Sequence, residues 1–124
     1  METRFTDWKY PWFNMKGDTK YGWRCSHPEH LKLGKNTDIG YGTYLMSKYG
    51  IEIGENTQIG GNCLVYSKNT ENETQGPVTI GRDCLIGSFC LILPNSRIPD
   101  GARMKAYSIW SKSGLVETWR SKVK

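Results

Sequence analysis

The stretch GPVTIGRDCLIGSFCLILPNSRIPDGARMKAYSIWSK, Gly76 to Lys112, places one large apolar residue at every sixth position. The large residues are Ile80, Ile86, Ile92, Ile98, Met104 and Trp110. A small side chain comes four places after each of the first five, at Cys84, Cys90, Ser96, Ala102 and Ser108. A period of six matches neither the alternation of a half-buried antiparallel strand nor the spacing of an amphipathic helix.

The same six-residue unit occurs earlier in the chain, with a two-residue slip after Leu45 and a longer interruption between Val65 and Ile80. Its large residues are Leu33, Ile39, Leu45, Ile53, Ile59 and Val65, and its small ones include Thr37, Thr43, Thr57 and Cys63. Each unit predicts a short strand and a sharp turn, so that three units make one triangular coil and the chain stacks about four coils. The large residue fills the interior, and turns with positive φ are expected at Asn36, Asn56, Asn62 and Asn95.

Composition limits the class of protein. The chain has 124 residues, which suits one domain, and its net charge of +5 favours anionic partners. No block of five like charges occurs, so nucleic acid is not an expected partner. No apolar run is long enough for a membrane span, and the first ten residues, METRFTDWKY, lack the apolar core of a signal peptide. We therefore expect a soluble, cytoplasmic protein with no membrane partner.

The cysteines and histidines give no metal-binding pattern. Cys25, Cys63, Cys84 and Cys90 include no CxxC pair, and the last three fall on the small inward position, which predicts buried thiols. A zinc hydratase on a β-helix needs three histidines across the coils, whereas His27 and His30 both precede the repeat. We expect no metal.

The repeat also divides the chain. Residues 1–30 are rich in Trp and Tyr and are predicted to cap the open end of the first coil, because an exposed sheet edge needs a cover. Residues 31–113 form the β-helix, interrupted by a polar loop at 66–79. The tail, residues 114–124, contains good helix formers and is predicted to form a short C-terminal helix. Its Leu115, Val116 and Trp119 are expected to face the protein.

From Leu33 to Lys112 the chain resembles the left-handed parallel β-helix of hexapeptide-repeat acyltransferases. It is similar to the small sugar and nucleotide-sugar O- or N-acetyltransferases of polysaccharide biosynthesis. The motifs that carry this likeness are Lys9-Tyr10-Pro11-Trp12, Pro28-Glu29, and Tyr66-Ser67 followed by Thr70. The resemblance implies an all-β fold, a left-handed coil, acetyl-CoA as co-substrate, and a homotrimer whose sites lie between subunits.

The resemblance also assigns site residues. For coenzyme A it implies small residues beside the pantetheine arm at Ser88 and Ala106, and the cation Lys112 near the phosphates. Arg103 and Lys105 add positive charge. For the sugar acceptor it implies the loop, so that Tyr66, Ser67, Asn69 and Thr70 are the expected substrate-binding residues.

The general base is left open. Family members use a histidine, and Asn62 stands where many related chains have one. In addition to Asn62, the candidate catalytic residues are Lys68 and His30. His27, Glu71 and Glu73 are further alternatives. A missing base also favours a second hypothesis, a catalytically silent β-helix binding module. Acceptor-dependent release of free CoA from acetyl-CoA separates the two functions.

Overall fold

The computed structural model describes residue 5 and residues 7–116. The helical structure in this part of the chain is one short 3₁₀ helix, Pro28–His30. No helix among these residues has the length and apolarity needed to cross a membrane. In chain order the strands are β1 Arg24–Ser26, β2 Leu31–Leu33, β3 Asp38–Ile39, β4 Tyr44–Met46, β5 Ile51–Ile53, β6 Gln58–Ile59, β7 Leu64–Tyr66, β8 Lys68–Asn69, β9 Thr74–Gln75, β10 Val78–Ile80, β11 Leu85–Ile86, β12 Leu91–Ile92, β13 Arg97–Ile98, β14 Arg103–Met104, β15 Ile109–Ser111 and β16 Gly114–Val116.

Successive strands of the repeat pass to successive walls of a three-sided column. We call the walls face A (β1, β4, β7, β12, β15), face B (β2, β5, β10, β13) and face C (β3, β6, β11, β14). Within each face the neighbouring strands of this set are parallel. The molecule is therefore an all-β parallel solenoid of about four coils, as the six-residue period predicts, and it is consistent with the left-handed β-helix that the resemblance implies.

The large residues of the repeat form one inward column on each face. The register aligns Leu33, Ile53, Ile80 and Ile98 on face B. On face C it aligns Ile39, Ile59, Ile86 and Met104. On face A it aligns Cys25, Leu45, Val65, Ile92 and Trp110. Leu33 and Trp110 are partly buried and pack against the core that the other members form.

Small polar residues at the corners join each coil to the next. Thr57, which is fully buried, donates from its hydroxyl to the carbonyl oxygen of Gly81 at 2.6 Å. The same hydroxyl accepts a hydrogen bond from the backbone N–H of Cys84 at 3.1 Å. Thr43 makes the equivalent pair of bonds two corners earlier, to Gly60 and Cys63. The predicted turns are also confirmed, since φ is positive at Asn36, Asn56, Asn62 and Asn95.

Replacing Thr57 with Val tests this bridge. Valine keeps the shape but removes the hydroxyl, which leaves a buried N–H without its partner. We expect the free energy of unfolding to fall by about 1–3 kcal/mol, measured by urea denaturation. The control, Thr79→Val on the exposed side of face B, should change it by less than about 0.5 kcal/mol. Equal effects of the two variants would show that the bridge adds no net stability.

All four cysteines are free and buried, as the repeat predicts for Cys63, Cys84 and Cys90. Desolvation raises the pKa of the Cys25 thiol to about 11. A hydrogen bond with Cys90 and burial together hold the pKa of Cys63 well above its usual range. These two thiols therefore stay protonated at neutral pH and serve as core residues.

The N-terminal segment covers the first coil. Trp23 is buried and meets Phe13 edge to face, with ring centroids 5.5 Å apart. Trp8 and Tyr10 also bond to backbone oxygens of this coil. The stacked strands begin with β1, so the column starts at Arg24, before the predicted boundary at residue 31.

The predicted C-terminal helix is wrong for residues 114–116. They form β16, which pairs antiparallel with β15, and both Leu115 and Val116 are exposed. The last strand of face A otherwise offers an unpaired edge, and Gly114 at φ 104° helps the chain to fold back onto it. Edge pairing therefore overrides helix propensity here. Trp119 and the rest of the tail lie outside the described residues.

Candidate functional site

An open groove of about 610 Å³ follows the outer surface of face C. Its outward column is set by the strand register, which aligns Asp38, Gln58, Leu85 and Arg103. These four differ in character, from acidic through neutral to basic, although they occupy equivalent positions in successive coils. The groove therefore changes its chemistry from one end to the other.

Charge is distributed unevenly along this groove. Arg103 and Lys105 are exposed at its C-terminal end, and Asp38 lies at its N-terminal end. A cationic end of this kind attracts phosphate or carboxylate groups, with which guanidinium and ammonium donors form charge-assisted hydrogen bonds. The arrangement suits an elongated ligand whose anionic end lies near Arg103 and Lys105.

One edge of the groove has no side chains in three successive coils. Gly40, Gly60 and Gly87 succeed one another there in adjacent coils, and all three contribute to the groove. A Cβ added at Gly60 would lie 2.7 Å from the backbone nitrogen of Ser88, closer than real Cβ atoms come. Coil stacking therefore requires glycine at this position, and it leaves a strip of bare backbone that a narrow ligand can approach.

Two corners of the column hold most of the predicted site residues. The C–A corner, where the chain passes from face C to face A, comprises residues 40–43, 60–63, 87–90 and 105–108. The A–B corner, where it passes from face A to face B, comprises residues 27–30, 47–50, 67–77 and 93–96.

The C–A corner brings together three of the residues predicted to bind coenzyme A. Ser88 and Ala106 lie there in adjacent coils. A hydrogen bond joins these coils, since Tyr107 N–H donates to the carbonyl oxygen of Ser88 at 3.1 Å. Lys105 precedes Ala106 and lines the groove. The Ser88 hydroxyl already accepts a hydrogen bond from Gly61 N–H at 3.2 Å, so it also has a structural role.

Lys112 is not part of this group. Ala106 precedes β15 and Lys112 follows it, so that strand separates the two residues along face A. The grouping of Lys112 with Ser88 and Ala106 is therefore not found within a single copy of the chain.

Asn62 lies on the C–A corner, one coil before Ser88. Its backbone is left-handed, with φ 56°, and its side chain is exposed. Its N–H donates to the carbonyl oxygen of Tyr41 at 3.0 Å. An amide does not titrate near neutrality, so Asn62 can orient a bound group but cannot act as a general base.

The predicted acceptor loop projects from the A–B corner as a short hairpin. Its strands, β8 and β9, pair antiparallel, so Lys68 lies opposite Gln75 and Asn69 opposite Thr74. The Asn69 side chain accepts a hydrogen bond from Glu71 N–H at 3.1 Å, which shapes the turn. Thr70 is exposed, and Tyr66 ends β7 at the base of the loop.

Ser67 does not lie on the surface of this loop, contrary to its predicted role in binding substrate. It is fully buried, and its hydroxyl donates to the carbonyl oxygen of Met46 at 2.6 Å. It also accepts from Tyr49 N–H at 2.9 Å. Ser67 therefore anchors the loop to the preceding coil.

The three candidate catalytic residues are not brought together. His30 lies on the A–B corner of the first coil, where its Nδ1 is 2.9 Å from the carbonyl oxygen of Lys48. Lys68 lies on the same corner two coils later, and Asn62 lies on the other corner. A single copy of the chain therefore holds no assembled catalytic group among these residues.

Sequence reasoning did not identify the character of face A. Its outward column begins with Arg24 in β1 and is apolar in the four coils that follow, at Tyr44, Leu64, Leu91 and Ile109. The equivalent column on face B is polar and consists of Lys32, Glu52, Thr79 and Arg97. Comparing the residue before each inward position across the three faces would have shown this difference.

Two exposed aromatic residues border face A at the C–A corner. Phe89 and Tyr107 stack in parallel, with ring centroids 5.0 Å apart and an interplanar angle of 4°. Both have positive φ, 60° and 63°, which is unusual for bulky residues. Their rings extend the apolar surface of face A toward the groove.

Comparison with known proteins finds no family model that matches the chain and no curated relative. The likeness to hexapeptide-repeat acyltransferases therefore depends on the residues quoted above.

Proposed function

We propose that the protein transfers an acetyl or related acyl group from coenzyme A to a hydroxyl or amine of a sugar or nucleotide sugar. The site lies between copies of the chain. The observation that carries this proposal is the position of the predicted donor and acceptor residues. Face A has Ser88, Lys105 and Ala106, three of the predicted donor residues, at one edge and the predicted acceptor loop at the other. Its outward column is apolar from Tyr44 to Ile109.

An apolar outer column favours self-association because pairing removes it from water. In a cyclic trimer the interface is heterologous, which means that two different surfaces of the chain meet. One edge of face A on one copy then meets the other edge of face A on the next copy. The C–A corner of one copy then lies beside the hairpin loop of its neighbour. This assembly supplies the two halves of a site that a single column holds apart.

Acetyl-CoA fits the charge pattern of the groove on face C. Its phosphates would bind near Arg103 and Lys105, and its pantetheine arm would follow the bare glycine edge past Ala106 and Ser88. The thioester then lies toward Asn62, whose amide can donate a hydrogen bond to the acyl oxygen. This direction places the reacting carbon near the coil that carries Gln58 and Gly60, two coils from Arg103.

In the transfer step, the acceptor oxygen or nitrogen attacks the thioester carbonyl carbon and the carbon–sulfur bond breaks. The acceptor's proton passes to a base, and the base then donates it to the departing CoA thiolate, which leaves as the free thiol. Lys68 of the neighbouring loop is our candidate base, with Tyr66, Asn69 and Thr70 around the acceptor. Asn62 does not titrate, and the His30 ring contacts the Lys48 carbonyl in another coil.

The direct test is acceptor-dependent release of free CoA, followed with a thiol reagent. The four cysteines are buried, so the native protein should contribute little background. We expect release with acetyl-CoA plus amino or neutral sugars to exceed release without acceptor. Tight binding of acetyl-CoA with no turnover on any acceptor would instead support the silent binding module, which the amide at Asn62 in place of a histidine favours.

Removing the positive end of the groove should weaken donor binding. For Lys105→Ala we expect the KM for acetyl-CoA to rise about tenfold or more, because an ammonium–phosphate hydrogen bond is lost. The matched control is Lys32→Ala on face B, which is also exposed but lies outside the groove. Initial rates at varied acetyl-CoA concentration measure both. An unchanged KM for Lys105→Ala contradicts this placement of the phosphates.

A further inference from the structure

A second cavity, of about 760 Å³, lies between the N-terminal segment and the first coil, and we call it the cap pocket. Six of the fourteen described residues that line it are aromatic, namely Phe5, Trp8, Tyr10, Trp12, Tyr21 and Trp23. Covering the open end of a solenoid requires buried apolar side chains, which Trp23 supplies. Covering the end of the column does not by itself require a cavity of this size.

Hydrogen bonds to the first coil hold one wall of the cap pocket in place. The Trp8 indole N–H donates to the carbonyl oxygen of Thr37 at 3.0 Å, and the Tyr10 hydroxyl donates to that of Leu31 at 2.9 Å. The two rings meet edge to face, with centroids 6.1 Å apart. The wall is therefore formed before any ligand arrives, which reduces the entropy cost of binding.

Other rings of the pocket are open to solvent. The side chain of Trp12 is 79% exposed and that of Tyr21 is 54% exposed, although both line the cavity. Aromatic rings that present an apolar face and keep a polar tip are typical of binding surfaces. Trp12 is the ring best placed to stack against a ligand, because so much of its surface is uncovered.

The charges around the pocket favour a neutral ligand. Of the described lining residues, Asp7 and Asp38 are acidic and Lys9 and Lys20 are basic, so they balance. The Lys20 ammonium lies 5.2 Å from the centre of the Tyr21 ring, which therefore already has a cation over it. Neither a polyanion nor a quaternary ammonium ion is favoured by this arrangement.

A buried hydroxyl in the pocket wall also has unused hydrogen-bonding capacity. Thr37 is 5% exposed, and its Oγ1 has no hydrogen-bond partner among the described residues. Thr57, the corresponding residue of the next coil, bonds to Gly81 and Cys84. Unsatisfied buried hydroxyls are uncommon, and this one lies beside the cavity.

We propose that the cap pocket binds the neutral pyranose ring of a saccharide. The apolar C–H face of such a ring stacks on the indole of Trp12, and its hydroxyls bond to the surrounding carboxylates, ammonium groups and Thr37. The pocket and the groove on face C share Asp38, so a bound chain can extend from one into the other. Saccharide binding here does not depend on acyl transfer.

The test is a titration of the full chain, followed by intrinsic tryptophan fluorescence and by calorimetry. The probes are maltotriose, cellotriose and the trisaccharide of N-acetylglucosamine, with tetramethylammonium and ADP as the cationic and anionic comparisons. We expect at least one trisaccharide to saturate the signal. Trp12→Ala should weaken its binding about tenfold or more, and Thr37→Val should weaken it by a smaller factor.

Tyr107→Ala is the matched control, because it also removes an exposed aromatic ring but lies on the C–A corner. It should leave saccharide affinity unchanged, and thermal unfolding should show that Trp12→Ala is folded. Saturation only by tetramethylammonium or ADP, saturation by none of the probes, or equal affinity of wild type and Trp12→Ala overturns the proposal. Loss of acyl transfer in any assay leaves this result unaffected.

Discussion

Leu91→Lys is expected to convert the proposed trimer to monomers and to abolish acceptor-dependent release of CoA. Leu91 stands between Leu64 and Ile109 in the outward column of face A, so a lysine there would bring an ammonium group into the proposed interface. Burying an unpaired charge costs several kcal/mol per ion, and a cyclic trimer places three of them at equivalent contacts. Light scattering coupled to size-exclusion chromatography measures the mass, and the CoA assay measures the activity.

The control is Thr79→Lys, which adds the same charge to the polar outward column of face B. We expect it to remain trimeric and active. Circular dichroism should show the same strand content for both variants, because outward positions do not enter the core. A wild-type chain that is monomeric at assay concentration, or a Leu91→Lys variant that stays trimeric, would contradict assembly through face A.

Leu45→Ala is expected to lower the free energy of unfolding by about 3 kcal/mol. Leu45 is fully buried and stacks in register between Cys25 and Val65 on face A. Removing its branched end loses buried apolar area and leaves a cavity that short, hydrogen-bonded coils cannot readily close. Small domains are stable by only about 5–15 kcal/mol, so this is a large fraction of the total.

Urea denaturation at one fixed protein concentration measures this loss, since self-association stabilises a folded chain by mass action. The same substitution at an exposed site, Leu115→Ala on β16, is the control and should change stability by less than about 0.5 kcal/mol. If Leu45→Ala matches the control, the inward column of face A does not stabilise the solenoid as its burial indicates.

The column itself could be predicted from sequence because its period is local. The spacing of Ile80, Ile86 and Ile92 assigns one strand to each face, and stacking identical units then fixes which residues align. The closeness of Ser88 and Ala106 follows from the same register. Positive φ at Asn56 is also a local property, because asparagine tolerates the left-handed region that the corner requires.

Features that depend on contacts distant in the chain were missed or wrong. The sequence predicts Ser67 as a substrate-binding residue of the loop, but its hydroxyl is buried and bonds to Met46 and Tyr49 of the previous coil. The tail has helix-forming residues, yet the open edge of β15 pairs with residues 114–116. The cap pocket arises where the aromatic segment folds back over Thr37, a contact that no repeat in the sequence encodes.

The strand register of face C fixes the spacing between Asp38 and Arg103. Asp38 and Arg103 are separated by three strand-to-strand steps, since Gln58 and Leu85 lie between them. At about 4.8 Å per step the backbone positions of the two residues are roughly 14 Å apart. Inserting or deleting one whole coil between them would change that span by a single step while preserving every corner. The length of ligand that the proposed acetyl-CoA groove accepts can therefore change in fixed increments, independently of the chemistry at either end.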